Sequence, residues 1–167
     1  SGYIIPLLDA ISIEICGDQE VEYSNDARAL FSGHTFSQYK AAPFEGRYVC
    51  KFDNPWKITT PPGYSCIFTQ PFFQDNKDFE VLTGIVDTDT YANPVAFPFA
   101  INKEVTNLTI PQGHPFVQVI PFKRDEWDMQ VSISQEEGTY STEVSEQMER
   151  FGIDAYKHLY WKKKKYD

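Results

Sequence analysis

Hydrophobic and polar positions alternate with period two in several short stretches of the chain. Ile11-Ser12-Ile13-Glu14-Ile15 puts three isoleucines on one face of an extended backbone, the pattern of a half-buried strand. Arg47 to Phe52 and Trp56 to Thr59 alternate in the same way, and Pro61-Pro62-Gly63 signals a turn before a strand over Tyr64 to Thr69. Further strands are predicted over Glu80 to Asp87, Val95 to Ile101, Leu108 to Ile110, Phe116 to Phe122 and Asp128 to Ser134. Many short strands with Gly and Pro between them predict a mostly β chain, an antiparallel β-sandwich or a partly closed barrel. Pro98 and Pro121 cannot donate to a ladder, so their strands are expected at sheet edges or at bulges.

Two segments follow a helical pattern instead. Asn25 offers an N-cap and Gly33 a stop, which predicts one short helix between them, with a loop over His34 to Gly46. Near the end, Val144, Met148, Phe151, Ala155 and Leu159 form one apolar stripe at helical spacing. Ser141 or Thr142 can cap that amphipathic helix, early glutamates suit its positive end, and Gly152 weakens its middle by ~1 kcal/mol relative to alanine. The expected organisation is a single domain over 1–167, with a β-rich body over 1–140 and a C-terminal helix and basic tail over 141–167.

Composition sharpens this picture. Aromatic residues make up 16% of the 167 residues, so few positions can carry much buried area. The formal net charge of −9 excludes general nucleic-acid binding, which needs a basic surface. The run Lys162 to Lys165 is either a solvated tail or a contact for an anionic partner. Cys16, Cys50 and Cys66 lie among apolar neighbours, which suits buried thiols in a reducing compartment, with one disulfide left open. No apolar run approaches the length of a membrane span, and no signal peptide is visible.

Candidate chemistry is sparse. His34, His114 and His158 have no ligand spacing, so no metal or other cofactor is expected, and no nucleophile motif occurs. The exception is Gly84-Ile85-Val86-Asp87-Thr88-Asp89-Thr90-Tyr91. On a strand, Asp87 and Asp89 share a face about 7 Å apart, where two carboxylates can hold a water or divide into acid and base. A structural reading stands beside it, in which they end a strand and bond locally in a turn.

Thr83-Gly84-Ile85-Val86-Asp87, Thr60-Pro61-Pro62-Gly63-Tyr64 and Leu108 to Ile120 resemble motifs of the dUTPase and dCTP-deaminase superfamily, whose trimeric fold is the β-clip. The resemblance implies a β-clip-like barrel and a nucleotide ligand, with Asp87 as base, Tyr91 as a stacking platform and Gln118 as a phosphate partner. Asp89 joins them as a candidate ligand-binding residue. Gln70-Pro71-Phe72-Phe73 stands where that superfamily has its phosphate-binding Arg-Ser-Ser, and Ala92-Asn93 replaces its Arg-Gly. Lys123-Arg124 can supply some positive charge, or simply end a strand in solvent.

Asn54-Pro55-Trp56-Lys57-Ile58, Phe97-Pro98-Phe99 and Gln118 to Arg124 are similar to a family seen in marine bacteriophages and some bacteria. That likeness implies a phage-type protein, in the infected cell's cytoplasm or associated with the virion, and carries no activity with it. Three readings follow: a non-catalytic binding or assembly module that forms homo-oligomers, a divergent nucleotide enzyme, and a virion structural or decoration protein. Elemental analysis of untagged protein is expected to find no stoichiometric zinc or iron after dialysis against a chelator.

Overall fold

The computed structural model describes residues 2–16, 21–24, 31–33, 47–131 and 142–163. By contact the chain forms two compact units, Ser1–Asp125 and Glu126–Asp167. The first holds eleven described strands: β1 (Tyr3–Pro6), β2 (Ile11–Ile15), β3 (Val21–Ser24), β4 (Phe31–Gly33), β5 (Tyr48–Phe52), β6 (Tyr64–Thr69), β7 (Phe79–Val81), β8 (Gly84–Val86), β9 (Phe97–Ile101), β10 (Asn107–Ile110) and β11 (Pro115–Lys123). They make three antiparallel sheets, ordered β1-β11-β6-β8, β10-β2-β3 and β4-β5-β9-β7, and none closes into a barrel among the described residues.

The period-two pattern explains most of this. Ile11 and Ile13 of β2 point inward beside Leu108 and Ile110 of β10, whose ladder runs in register from Asn107–Glu14 to Ile110–Ile11. All three sheets feed one apolar core, and its centre is aromatic. Phe116 of β11 lies 5.6 Å from Phe52, 5.7 Å from Phe79 and 5.4 Å from Phe99, centroid to centroid, all three on the β4-β5-β9-β7 sheet, to which β11 does not belong. Phe68 of β6 meets Phe97 of β9 at 5.4 Å in the same way. Such ring pairs contribute beyond the area they bury, so they fasten sheet to sheet.

Several elements differ from expectation. Phe31–Gly33, at the end of the expected Asn25–Gly33 helix, is strand β4, and residues 25–30 lie outside the described residues. The Phe31 ring packs on Phe52 at 5.1 Å, and that burial outweighs a local capping signal. Trp56 to Thr59 is not a strand. Buried Asn54 accepts the Trp56 N–H and donates to its carbonyl, at 3.2 and 2.7 Å, a side-chain turn that competes with pairing. The expected Glu80 to Asp87 strand is two strands in different sheets, because the chain crosses over at Leu82-Thr83. Leu82 N–H donates to Pro98 and the Thr83 hydroxyl meets Thr69, which ties each half to its own sheet. Residues 128–131 carry no strand, and 132–134 lie outside the described residues.

Neither proline strand lies at an edge: β9 and β11 are interior. Pro98 directs its carbonyl to Leu82, just past the end of β7, so its missing N–H falls where that ladder stops. Pro121 lies beyond Val119, the last β11 residue that β1 pairs through Tyr3. Cys50 and Cys66 are buried as expected, but Cys16 is exposed.

The second unit contains α1 (Thr142–Phe151), a 3-10 turn over Gly152–Asp154 and α2 (Ala155–Leu159). The expected continuous helix is therefore interrupted. Gly152 adopts φ 55°, a left-handed value that ends α1 where an L side chain would resist it. No helix among the described residues is long and apolar enough to cross a membrane.

Phe116→Ala is expected to destabilise the first unit by about 3–5 kcal/mol, because it empties the joint between two sheets. Chemical denaturation checks this. A loss no greater than that of an exposed substitution such as Tyr3→Ala would contradict the assigned joint.

Candidate functional site

Strand β8 stops at Val86, and Asp87 to Tyr91 form a turn. The Asp87 carbonyl accepts the N–H groups of Thr90 and Tyr91 at 3.1 and 2.9 Å. Thr88 is buried between the two carboxylates, its hydroxyl 2.7 Å from that of Thr60 and donating to Cys66 Sγ at 3.4 Å. With Thr88 turned inward, Asp87 and Asp89 both reach Arg124, the residue that follows β11.

Arg124 grips Asp89 with both terminal nitrogens, Nη1 to Oδ1 at 3.0 Å and Nη2 to Oδ2 at 2.5 Å, and lies 3.1 Å from Asp87 Oδ1. A two-point guanidinium–carboxylate fork fixes geometry as well as charge. The backbone joins in. Gly63 N–H donates to Asp89 Oδ2 and Gly63 carbonyl accepts the Arg124 N–H, both at 2.8 Å. Gly63 can do so because it sits at φ 84° in the turn that Tyr64 N–H closes onto Pro61, where a type II turn needs glycine. Ser65 donates its hydroxyl to Asp87 Oδ1 at 2.6 Å.

The two carboxylates differ in exposure. The Asp89 side chain is 6% exposed and that of Asp87 61%. The hydrogen bond from Arg124, with that from Gly63, holds the Asp89 carboxyl down at about 2, against an ordinary 3.8. Arg124 is thus a clamp rather than a solvated strand end, while Lys123 pairs with Asp125 at 3.1 Å.

Tyr91 sits half exposed at the end of the same turn. Gln118 is elsewhere. Along the β11–β6 ladder Phe122 faces Ser65 while Gln118 faces Thr69. Four residues of strand separate them, about 13 Å at ~3.3 Å per residue. Asp87, Asp89 and Tyr91 are brought together, and Gln118 belongs to a second place.

There Gln118, buried in β11, accepts the Phe72 N–H with Oε1 at 2.9 Å. Phe72 and Phe73 form the tip of a turn that Gln74 N–H closes onto Pro71 at 3.3 Å. Phe73 has φ 63°, the one non-glycine residue at positive φ among those described. Such strain costs on the order of 1–3 kcal/mol, and it persists only where neighbours enforce it. Gln70 enforces it too, donating to the Gln74 carbonyl and accepting the Val81 N–H, at 3.1 and 3.2 Å. Gln74 Nε2 contacts His114 Nε2 at 2.9 Å, and burial pushes His114 below its ordinary value, which favours the neutral, accepting ring.

The result is a display of two rings, Phe72 59% and Phe73 108% exposed. They border a groove of about 480 Å3 whose lining also includes Gln70, Asn76, Glu80 and Asn102. No glycine marks the left-handed position of this turn, so the sequence carries no signal of it. Among the described residues no group of His, Cys, Asp and Glu is arranged to hold a metal ion. No protein-family model, curated protein or solved structure matches the chain.

Because the Asp89 carboxyl is depressed in the fold, its contribution is fully present above the ordinary 3.8 and is lost as pH falls through about 2. Asp89→Asn is expected to lower the melting temperature at neutral pH and to flatten the decline of wild type across that acid window. Melting curves recorded through the window check this. Equal neutral-pH stability of the two chains would show that the clamp contributes nothing.

Proposed function

We propose that this chain is a non-catalytic binding or assembly module, phage-type and homo-oligomeric, built on a β-clip-like scaffold. The observation that carries this reading is the engagement of the acidic pair within the fold. Asp89 is closed off by Arg124 and Gly63, and Asp87 Oδ1 accepts from Ser65 and lies against Arg124. Asp89 in that state braces the turn, and the more exposed Asp87 has its charge countered by the same guanidinium. A nucleotide enzyme would instead need a carboxylate free to orient water beside a phosphate chain, with positive charge along it.

Two further observations support the reading. Gln118, the phosphate partner that the dUTPase-like resemblance implies, spends its carbonyl on Phe72 N–H about 13 Å along the sheet from Asp87. The position of the superfamily's Arg-Ser-Ser holds the Gln70-Pro71-Phe72-Phe73 turn, which brings no cation and one fewer N–H. What that turn brings is exposed aromatic surface, a feature of binding rather than of phosphoryl chemistry.

Pyrophosphate release from each deoxynucleoside triphosphate with magnesium is expected to stay at background for wild type and for Asp87→Asn alike. Release that depends on Asp87 would overturn the reading in favour of a divergent nucleotide hydrolase.

A further inference from the structure

The groove beside Phe72 and Phe73 has a definable ligand chemistry. Phe73 stands at a backbone conformation that glycine would hold without strain, and its ring touches solvent on all sides. The ring adds nothing to the core, yet Gln70, Gln118 and the Pro71–Gln74 turn all act to hold it there. Strain that the fold maintains and does not use points to a role at the surface.

The floor of the groove narrows the choice. Glu80 is the one ionic group among its lining residues, and Arg47 already meets it at 2.9 Å. Among the described residues no cation belongs to that lining to attract phosphate or sulfate. The other polar groups of the lining are amides and a hydroxyl: Asn102 is fixed by Arg47 and by the Lys77 carbonyl, Thr83 by Thr69, and Asn76 Nδ2 is buried with no partner among the described residues. Pre-positioned polar groups that lack a free charge suit a neutral ligand rich in hydroxyls.

An extended peptide would compete for such a place by adding a strand to the edge of β7. That edge is blocked at Val81. Leu82 N–H points to β9, so Val81 N–H points outward, and Gln70 Oε1 already accepts it. A sugar ring needs no ladder: it offers an apolar C–H face to an aromatic ring and hydroxyls to amides. The volume of about 480 Å3 is that of a small-ligand site, within the usual range of ~300–1,000 Å3.

We infer that the groove bordered by Phe72 and Phe73 binds a neutral oligosaccharide, stacked on the two rings and hydrogen-bonded to Asn76, Glu80 and Asn102. This rests on the binding-module reading, and the two fail separately. Asp87-dependent pyrophosphate release would remove the reading itself, whereas absent sugar binding with background release would remove only this ligand.

The test is isothermal titration of the full chain with cellohexaose, maltohexaose, laminarihexaose, mannohexaose and chitohexaose, alongside melting curves. Wild type is expected to bind at least one saturably. Phe72→Ala is expected to weaken that binding tenfold or more. Phe73→Gly is the sharper variant: it is expected to raise the melting temperature by relieving strain while also weakening binding tenfold or more. No saturable binding of any of the five would overturn the proposal. So would affinity unchanged in both variants, or a Phe73→Gly chain that melts below wild type, since the ring would then serve the fold.

Discussion

The ring of Phe116 packs against Phe52, Phe79 and Phe99, and the arrangement of the first unit depends on that contact. It ties β11, the longest described strand, to a sheet with which β11 shares no backbone ladder. Backbone hydrogen bonds order strands within each sheet, but only side chains join one sheet to another. Burying large rings is the means available to a chain with this many aromatics. Because β11 lies between β1 and β6 in its own sheet, fixing Phe116 also fixes the register of everything bonded to those two strands.

From that joint a further requirement follows. Phe116 to Val119 are four consecutive buried residues, so β11 is covered on both faces there, and one of the four is Gln118. A buried amide must find hydrogen-bond partners, since leaving one unsatisfied costs roughly 1–3 kcal/mol. Gln118 meets part of that demand by accepting Phe72 N–H, which holds the turn that displays the two rings. At the other end β11 runs on into Arg124, whose guanidinium collects both carboxylates of the Asp87–Tyr91 turn. One strand therefore positions both candidate sites, one through a buried amide and the other through a charge.

Much of this fold is legible in the sequence, and the illegible parts have separate physical causes. β2, β5, β6, β10 and the core of β11 follow from alternation or from short apolar runs bounded by Gly and Pro, because their burial is decided by side chains within the strand. Phe31 and Leu82-Thr83 are decided by groups far along the chain, a ring on β5 and the two sheets between which the chain crosses, whereas Asn54 turns the chain locally through Trp56, two residues on. Local propensity carries no record of the distant partners. The acidic pair was visible, but its partner Arg124 is 35 residues from Asp89, and spacing alone could not separate a catalytic pair from a clamped one. The Phe72-Phe73 turn was hidden for the opposite reason: its left-handed residue is a phenylalanine, and turn reading looks for glycine there.

That substitution of the expected residue type separates the two sites physically. At the Asp87–Tyr91 turn the engaged groups serve the fold: Thr88 is buried, Asp89 is closed by Arg124 and Gly63, and Gly63 is the residue its φ requires. Local preference and tertiary structure agree there, as they do wherever stability is the main constraint. At the Pro71–Gln74 turn they disagree. A bulky residue occupies a position suited to glycine, its ring is turned away from the core, and the amides of Gln70 and buried Gln118 are committed to holding it. A fold under selection for stability alone would lose such a residue readily, because relieving strain at an exposed turn disturbs nothing beneath it. The disagreement, rather than the more familiar pair of carboxylates, is the physical ground on which the proposed binding surface stands.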